Sequence, residues 1–303
     1  MFLRSVFFLL LLCCIAAPRV YALPNVVASI PPLHSLVQGV MQGVAKVELL
    51  IGAHQSPHDA SLAPSTVRKV MAAELVVWIG PSLELPLARI LKNAGDDGQM
   101  RVMELESIQR LESRPAGLFD ENQEQHSHGE HSIDPHLWLS TANARAIVVA
   151  VRDWLLSADA DNADRYRNNA GQMLQRIEYI HQQIKGQLDQ KDAESYMVFH
   201  DAYQYFEQDF SIHPVAAVTL HPEHAPGAKR IHMLRQYIKQ NNVHCIFSEP
   251  QFSAAVVGTI VEGSSVKHAT LDPLGLSLQP GPDLWFDLMQ QLATQLSDCL
   301  QSY

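Results

Sequence analysis

Residues 25–51 run NVVASIPPLHSLVQGVMQGVAKVELLI, and this stretch decides the fold. Residues 25–30 form a short strand-like apolar run, residues 32–44 an amphipathic helical stretch, and residues 47–51 a second strand-like run. A strand, a helix and a strand in that order make a βα unit, the building block of a parallel sheet. The rhythm continues with strands expected at 75–79 and 100–104 and helices at 64–73 and 85–94. Such alternation argues for an α/β lobe.

After Arg114 the rhythm breaks. Residues 116–132 are polar and His-rich and read as a loop; residues 141–156 return to helical spacing. Asp161-Asn162 offers an N-cap for a long helix over 163–190, with Met173, Ile177, Ile180 and Ile184 on one face. The apolar stripe is too short for a coiled-coil seam, so this helix reads as a rigid connector. The βα rhythm then restarts, with strands expected at 195–199, 214–219, 244–248 and 266–271 and helices at 202–210, 228–240, 254–262 and 283–300. The expectation is two doubly wound parallel-sheet lobes, residues 23–160 and 191–303, joined by one long helix over 161–190, with a cleft between them. There is no strict internal sequence repeat.

The first 22 residues read as an export leader: Arg4 in a short basic start, an apolar run over 5–17, and Val20-Tyr21-Ala22 as a cleavage site. The apolar run is short for a membrane span, and the bulky Leu12 before Cys13 speaks against a lipid-attachment site. Removing the leader takes the formal charge from −10 to −12. So acidic a chain does not coat nucleic acid or anionic membrane, and its field favours cations. Cys245 and Cys299 are the cysteines left after cleavage. Two cysteines in an exported protein usually pair, the alternative being two buried thiols, and neither sits in a CxxC pair of the kind that binds zinc through thiolates.

In open α/β sheets ligands bind beyond the carboxyl ends of the strands. His58 follows the strand expected at 47–51, His200 the one at 195–199 and Asp272 the one at 266–271, while His136 follows the loop ending at Ile133. Three neutral imidazoles with a carboxylate or water would give the four-coordinate site that suits Zn²⁺. Asp59, Asp134 and Asp201 lie within two residues of a candidate histidine and could orient its ring. Spacing alone does not separate this reading from ordinary surface or core histidines.

Seven motifs stand along the chain: Ser56-Pro57-His58-Asp59-Ala60-Ser61-Leu62-Ala63-Pro64-Ser65, Leu75-Val76-Val77-Trp78-Ile79-Gly80, Asp134-Pro135-His136-Leu137-Trp138-Leu139, His200-Asp201-Ala202-Tyr203, Pro226-Gly227-Ala228, Ser248-Glu249-Pro250-Gln251-Phe252 and Leu271-Asp272-Pro273-Leu274-Gly275. By these the chain resembles the zinc-binding proteins of bacterial high-affinity zinc-uptake ABC transporters, within the wider family of metal-specific solute-binding proteins. The resemblance covers nearly all of the chain after the leader. It implies a metal in the interlobe cleft and His58, His136 and His200 as ligands. Manganese-binding relatives typically carry Glu at the place of His200, so the third imidazole implies Zn²⁺. Asp272 matches a carboxylate that is the fourth ligand in some relatives, with water as the alternative. Some zinc members carry Glu directly before the first histidine; here that residue is Pro57. Glu249 reads as structural or cleft-lining, and the Cys245–Cys299 pair resembles a disulfide of some zinc members. His126, His128 and His131 occupy the place of a longer His-rich loop and could hold a second, weaker Zn²⁺. The implied partner is an inner-membrane ABC permease, the implied location the periplasm, and the expected state a monomer.

Two other classes compete. Three histidines with an open fourth position also describe a zinc hydrolase, but the chain has no HExxH and no GxSxG. A manganese- or iron-binding or adhesin-type relative would share the fold.

Overall fold

The computed structural model describes residues 23–52, 55–92, 95, 98–114, 132–189, 195–219, 222 and 224–300. The leader and His126, His128 and His131 lie outside the described residues.

In the first lobe β1 (Val26–Ala28), α1 (Pro31–Val40), β2 (Glu48–Leu49), α2 (Pro64–Ala72), β3 (Leu75–Trp78), α3 (Leu85–Leu91) and β4 (Gln99–Arg101) follow one another. The strands form a parallel sheet in the order β2-β1-β3-β4. β1 and β3 lie at its centre and are buried throughout, as parallel strands covered on both faces must be. Alternate side chains serve different cores: Val26 and Ala28 join the central cluster, whereas Val27 packs with Val76, Trp78 and Leu87 under α2 and α3. Proline stands in the first turn of α1, α2 and α3, where no intrahelical N–H bond is lost.

α4 (Thr141–Ala158) and α5 (Ala163–Leu188) then pack against each other. Ser140 caps α4 by accepting from the Asn143 N–H. Asn162 stands at the start of α5, but its side chain does not cap that helix; its amide donates to Asp159 at 2.8 Å.

The second lobe repeats the plan: β5 (Tyr196–His200), α6 (Gln204–Phe210), β6 (Ala216–Thr219), α7 (Ala228–Gln240), β7 (Cys245–Ser248), α8 (Ala255–Val261), β8 (Lys267–Thr270) and α9 (Leu284–Cys299). Its parallel sheet has the order β6-β5-β7-β8. Met197 and Phe199 face the outer core under α7 and α8, whereas Tyr196 and Val198 face the central one. His200 has the parity of the central face.

α5 does more than connect. It packs against α1 and α4 on one side and α6 and α9 on the other. α9 itself returns to pack on α1. One apolar cluster therefore runs from Val26 and Leu36 through Ile177 and Ile184 to Phe206 and Leu292. The Cys245–Cys299 disulfide ties the start of β7 to the end of α9. A loop of that length contributes about 4 kcal/mol in the chain-entropy picture. Among the described residues no helix is long and apolar enough to cross a membrane.

The strand expected over 100–104 is shorter: it ends at Arg101, and Val102–Glu104 wind into a 3-10 turn. Arg101 pairs with Trp78, the last residue of β3, so the edge strand stops where its only neighbour stops. The helix expected to reach residue 44 ends at Val40, and the chain leaves it through Gly43 at φ 76°, a left-handed conformation that glycine adopts without strain.

Candidate metal centre

The fold gathers His58, His136 and His200 at the junction of the two lobes, with one ring nitrogen of each within 4.8 Å of the others. His200 ends β5, His136 stands at the start of the 3-10 turn Leu137–Leu139, and His58 lies in the turn after β2. His136 and His200 are buried and His58 is half-buried. The Nε2 atoms of His136 and His200 are 3.3 Å apart. Two nitrogens at tetrahedral angles around Zn²⁺, each about 2.0–2.1 Å from it, would be about 3.3 Å apart.

Carboxylates behind two of the rings set their orientation. Asp134 Oδ1 accepts from the His136 backbone N–H at 2.9 Å and lies 2.7 Å from its Nδ1. Glu249 Oε1 does the same for His200, at 3.3 Å from its backbone N–H and 2.7 Å from its Nδ1. An Nδ1–H donated to a carboxylate leaves Nε2 unprotonated and aimed at the cluster, the tautomer a metal needs. Burial works against a charged His200, the carboxylates of Glu249, Asp201 and Asp134 together oppose it, and the net shift of the ring is upward.

Further contacts fix the supports. Tyr205 of α6 donates its hydroxyl to the Asp134 carbonyl at 2.9 Å and accepts from the Leu111 N–H at 3.1 Å. The Trp138 indole donates to the Pro273 carbonyl at 2.7 Å, and Trp285 donates to the Trp138 carbonyl at 2.9 Å. These bonds run between the lobes beside the histidines. A small pocket opens over the rings, walled by Pro57, Trp138, Gln251, Phe252, Pro273 and Leu274 among others. Phe252 meets His200 edge-on at 6.0 Å between ring centres.

The residues from residue 26 to residue 299 match the family model of the zinc-uptake complex component A, periplasmic (ZnuA). The chain belongs to this family. The high-affinity zinc uptake system protein ZnuA of Yersinia pestis is 33% identical over 95% of this chain and 94% of its own. Among solved structures, one described as ZnuA superposes with a TM-score of 0.78 at 23% identity, over 92% of this chain and all of that one. The solute-binding protein FpvC of Pseudomonas aeruginosa, solved with Mn²⁺, also reaches 0.78 at 19% identity, over 92% of this chain and 99% of that one. A protein solved with Mn²⁺ shares this fold, so shape alone does not assign the metal.

Asp272 is not brought together with the histidines. Its Oδ1 accepts from the N–H groups of Leu274 and Gly275 at 3.1 and 2.9 Å, and its Oδ2 from Ser277 at 3.2 Å. Both oxygens build the turn that carries Pro273 and Leu274 to the pocket wall. Burial pushes this carboxyl up, and the N–H groups oppose the shift. Of the three aspartates near candidate histidines, Asp134 alone orients a ring among the bonds the structure shows. Asp59 is exposed, and Asp201 pairs at 2.8 Å with Arg114, which also binds the buried Glu207 at 2.5 Å. Glu249 has a larger part than sequence reading gave it. The clue was available: it directly follows β7, and carboxyl ends of central strands are where α/β sheets place function.

Proposed function

We propose that the chain captures Zn²⁺ with His58, His136 and His200 and delivers it to the membrane permease of an ABC-type zinc importer, working as a non-enzymatic, monomeric carrier in the periplasm after loss of residues 1–22. The observation that carries the reading is the 3.3 Å separation of the His136 and His200 Nε2 atoms, with His58 completing the cluster. Support comes from the two carboxylates that hold the rings as neutral donors through Nδ1. With Asp272 committed to its turn, water takes the fourth position on this reading.

The test is calorimetric titration of Zn²⁺ into metal-free protein at neutral pH. His136→Ala and His200→Ala are each expected to weaken binding at least about 100-fold with an unchanged far-ultraviolet circular dichroism spectrum, since each removes one of three anchoring bonds. Wild-type affinity in both variants refutes the ligand set. Affinity is also expected to fall with acidification from a pH above about 6.5, because the upward shift of His200 lets its ring take a proton, which competes with the ion, earlier than a free imidazole would.

A further inference from the structure

We infer that Gln251 holds the water that completes the zinc tetrahedron, so that a neutral amide, not a carboxylate, governs the fourth position. This inference rests on the three-histidine reading above. Three imidazoles leave one vertex open to the pocket over the rings. Pro57, directly before His58, has no donor atom in its side chain, and Asp272 stands outside the histidine cluster with its oxygens accepting from the backbone N–H groups of Leu274, Gly275 and Ser277. The other walls are apolar or already bonded: Phe252, Pro273 and Leu274 carry no free donor or acceptor in their side chains, and the Trp138 N–H is given to Pro273. Ser56 Oγ accepts from the His58 N–H at 3.3 Å.

Gln251 differs from all of these. It lines the same pocket, and its carbonyl oxygen Oε1 is buried yet accepts no hydrogen bond. Leaving a buried amide oxygen without a donor is unfavourable by about 1–3 kcal/mol, so such an atom calls for a partner. A water bound to Zn²⁺ supplies one. The cation polarises its O–H bonds and makes it a strong donor. Gln251 is also well placed to hold it. It belongs to the turn after β7, closed by the Phe252 N–H on the Glu249 carbonyl at 3.1 Å. That turn carries Glu249 behind His200 and Phe252 against its edge, so one short segment positions a ring of the cluster and lines the pocket over it. An amide accepts the water's hydrogen bond but cannot take its proton. The amide would therefore hold the water without acting as its general base.

The test compares Gln251→Leu and Gln251→Glu with the wild type, using Zn²⁺ calorimetry and the visible spectrum of the Co²⁺-loaded protein titrated with azide. Gln251→Leu is expected to bind one Zn²⁺ about tenfold more weakly, in the range for loss of a supporting hydrogen bond at a metal. Its Co²⁺ form is expected to take up azide about tenfold more tightly, because the displaced water is no longer held. Gln251→Glu keeps the acceptor and is expected to bind Zn²⁺ at least as tightly as wild type. Unchanged Zn²⁺ and azide affinities in Gln251→Leu overturn the inference. If His136→Ala and His200→Ala also bind normally, the three-histidine reading falls; if they do not, only the role of Gln251 falls. A merely structural role for Gln251 would lower thermal stability and leave azide affinity where it was.

Discussion

The two lobes have the same strand order but not the same function at their strand ends. Val26 pairs with Leu75 in the first lobe and Tyr196 with Cys245 in the second, so the central strand pairs overlay in register. On that overlay His200 takes the place of Ile30. Ile30 is wholly buried and is followed at once by α1, whose first residue is Pro31. After His200 three residues pass before α6 opens at Gln204, which leaves the strand end bare. Each lobe also has a buried carboxylate reaching across this end. Glu84 Oε1 accepts from Ser29 Oγ at 2.5 Å and the Ile79 N–H at 3.2 Å, and its Oε2 from Gly80 at 2.9 Å. Glu249 accepts instead from the ring and backbone of His200. The same device closes a fold in one lobe and aims a histidine ring in the other. What changes is the donor it serves: a hydroxyl and two amides have no further chemistry, whereas an imidazole has a second nitrogen.

If that comparison holds, damage to the two carboxylates separates into stability and binding. Glu84→Ala leaves Ser29 and two buried N–H groups without their acceptor and is expected to destabilise the metal-free protein by about 3 kcal/mol. Denaturant unfolding measures this, and Zn²⁺ affinity of the folded variant should stay within about threefold of wild type. An affinity loss as large as the one expected for Glu249 would erase the distinction between the lobes.

Glu249→Ala is expected to weaken Zn²⁺ binding about 10–100-fold, because the His200 ring loses the acceptor that fixes its tautomer and direction. Glu249→Gln retains a carbonyl oxygen for the Nδ1–H and should recover part of the loss. Calorimetry on the two variants decides it: a gain in affinity from Ala to Gln marks an orienting role, and equal losses mark simple disruption.

The comparison also explains what the sequence could and could not reveal. Strand–helix alternation placed all of the strands in order, because apolar runs and helical periods are local signals. It placed His58 and His200 at loop starts for the same reason. The Glu249–His200 bond was not local. It depends on β7 lying beside β5, and strand order is set by packing among distant segments. An Asp after a strand can serve as a ligand or as the acceptor of a turn, and the bonds that Asp272 accepts from the Leu274, Gly275 and Ser277 N–H groups depend on how that loop folds, which no local signal reveals. The long helix α5 reads in the sequence as a rigid connector, and its packing against α9, which also returns onto α1, lies too far along the chain for a local pattern to show.

The smallest expected effect is the most specific. Burial pushes the Glu84 carboxyl from its ordinary 4.5 to about 7, against the Ser29 hydroxyl and the Gly80 and Ile79 N–H groups, which favour its charged form. A carboxyl raised in the folded state keeps a proton that the unfolded chain has lost. Its contribution to stability is therefore fully present below about pH 4.5 and is lost as pH rises towards 7. Ser29→Ala removes one donor to the charged form. It is expected to lower stability at neutral pH by about 1 kcal/mol and to move the upper end of that pH window higher, because the carboxylate is then harder to form. Unfolding measured between pH 5 and 9 tests both points against wild type, with Glu84→Gln as the variant in which this titration is absent. Zn²⁺ affinity should not move. A window that stays in place means that Ser29 does not bear on the Glu84 charge. An affinity that moves with it means the first-lobe carboxylate reaches the metal centre after all.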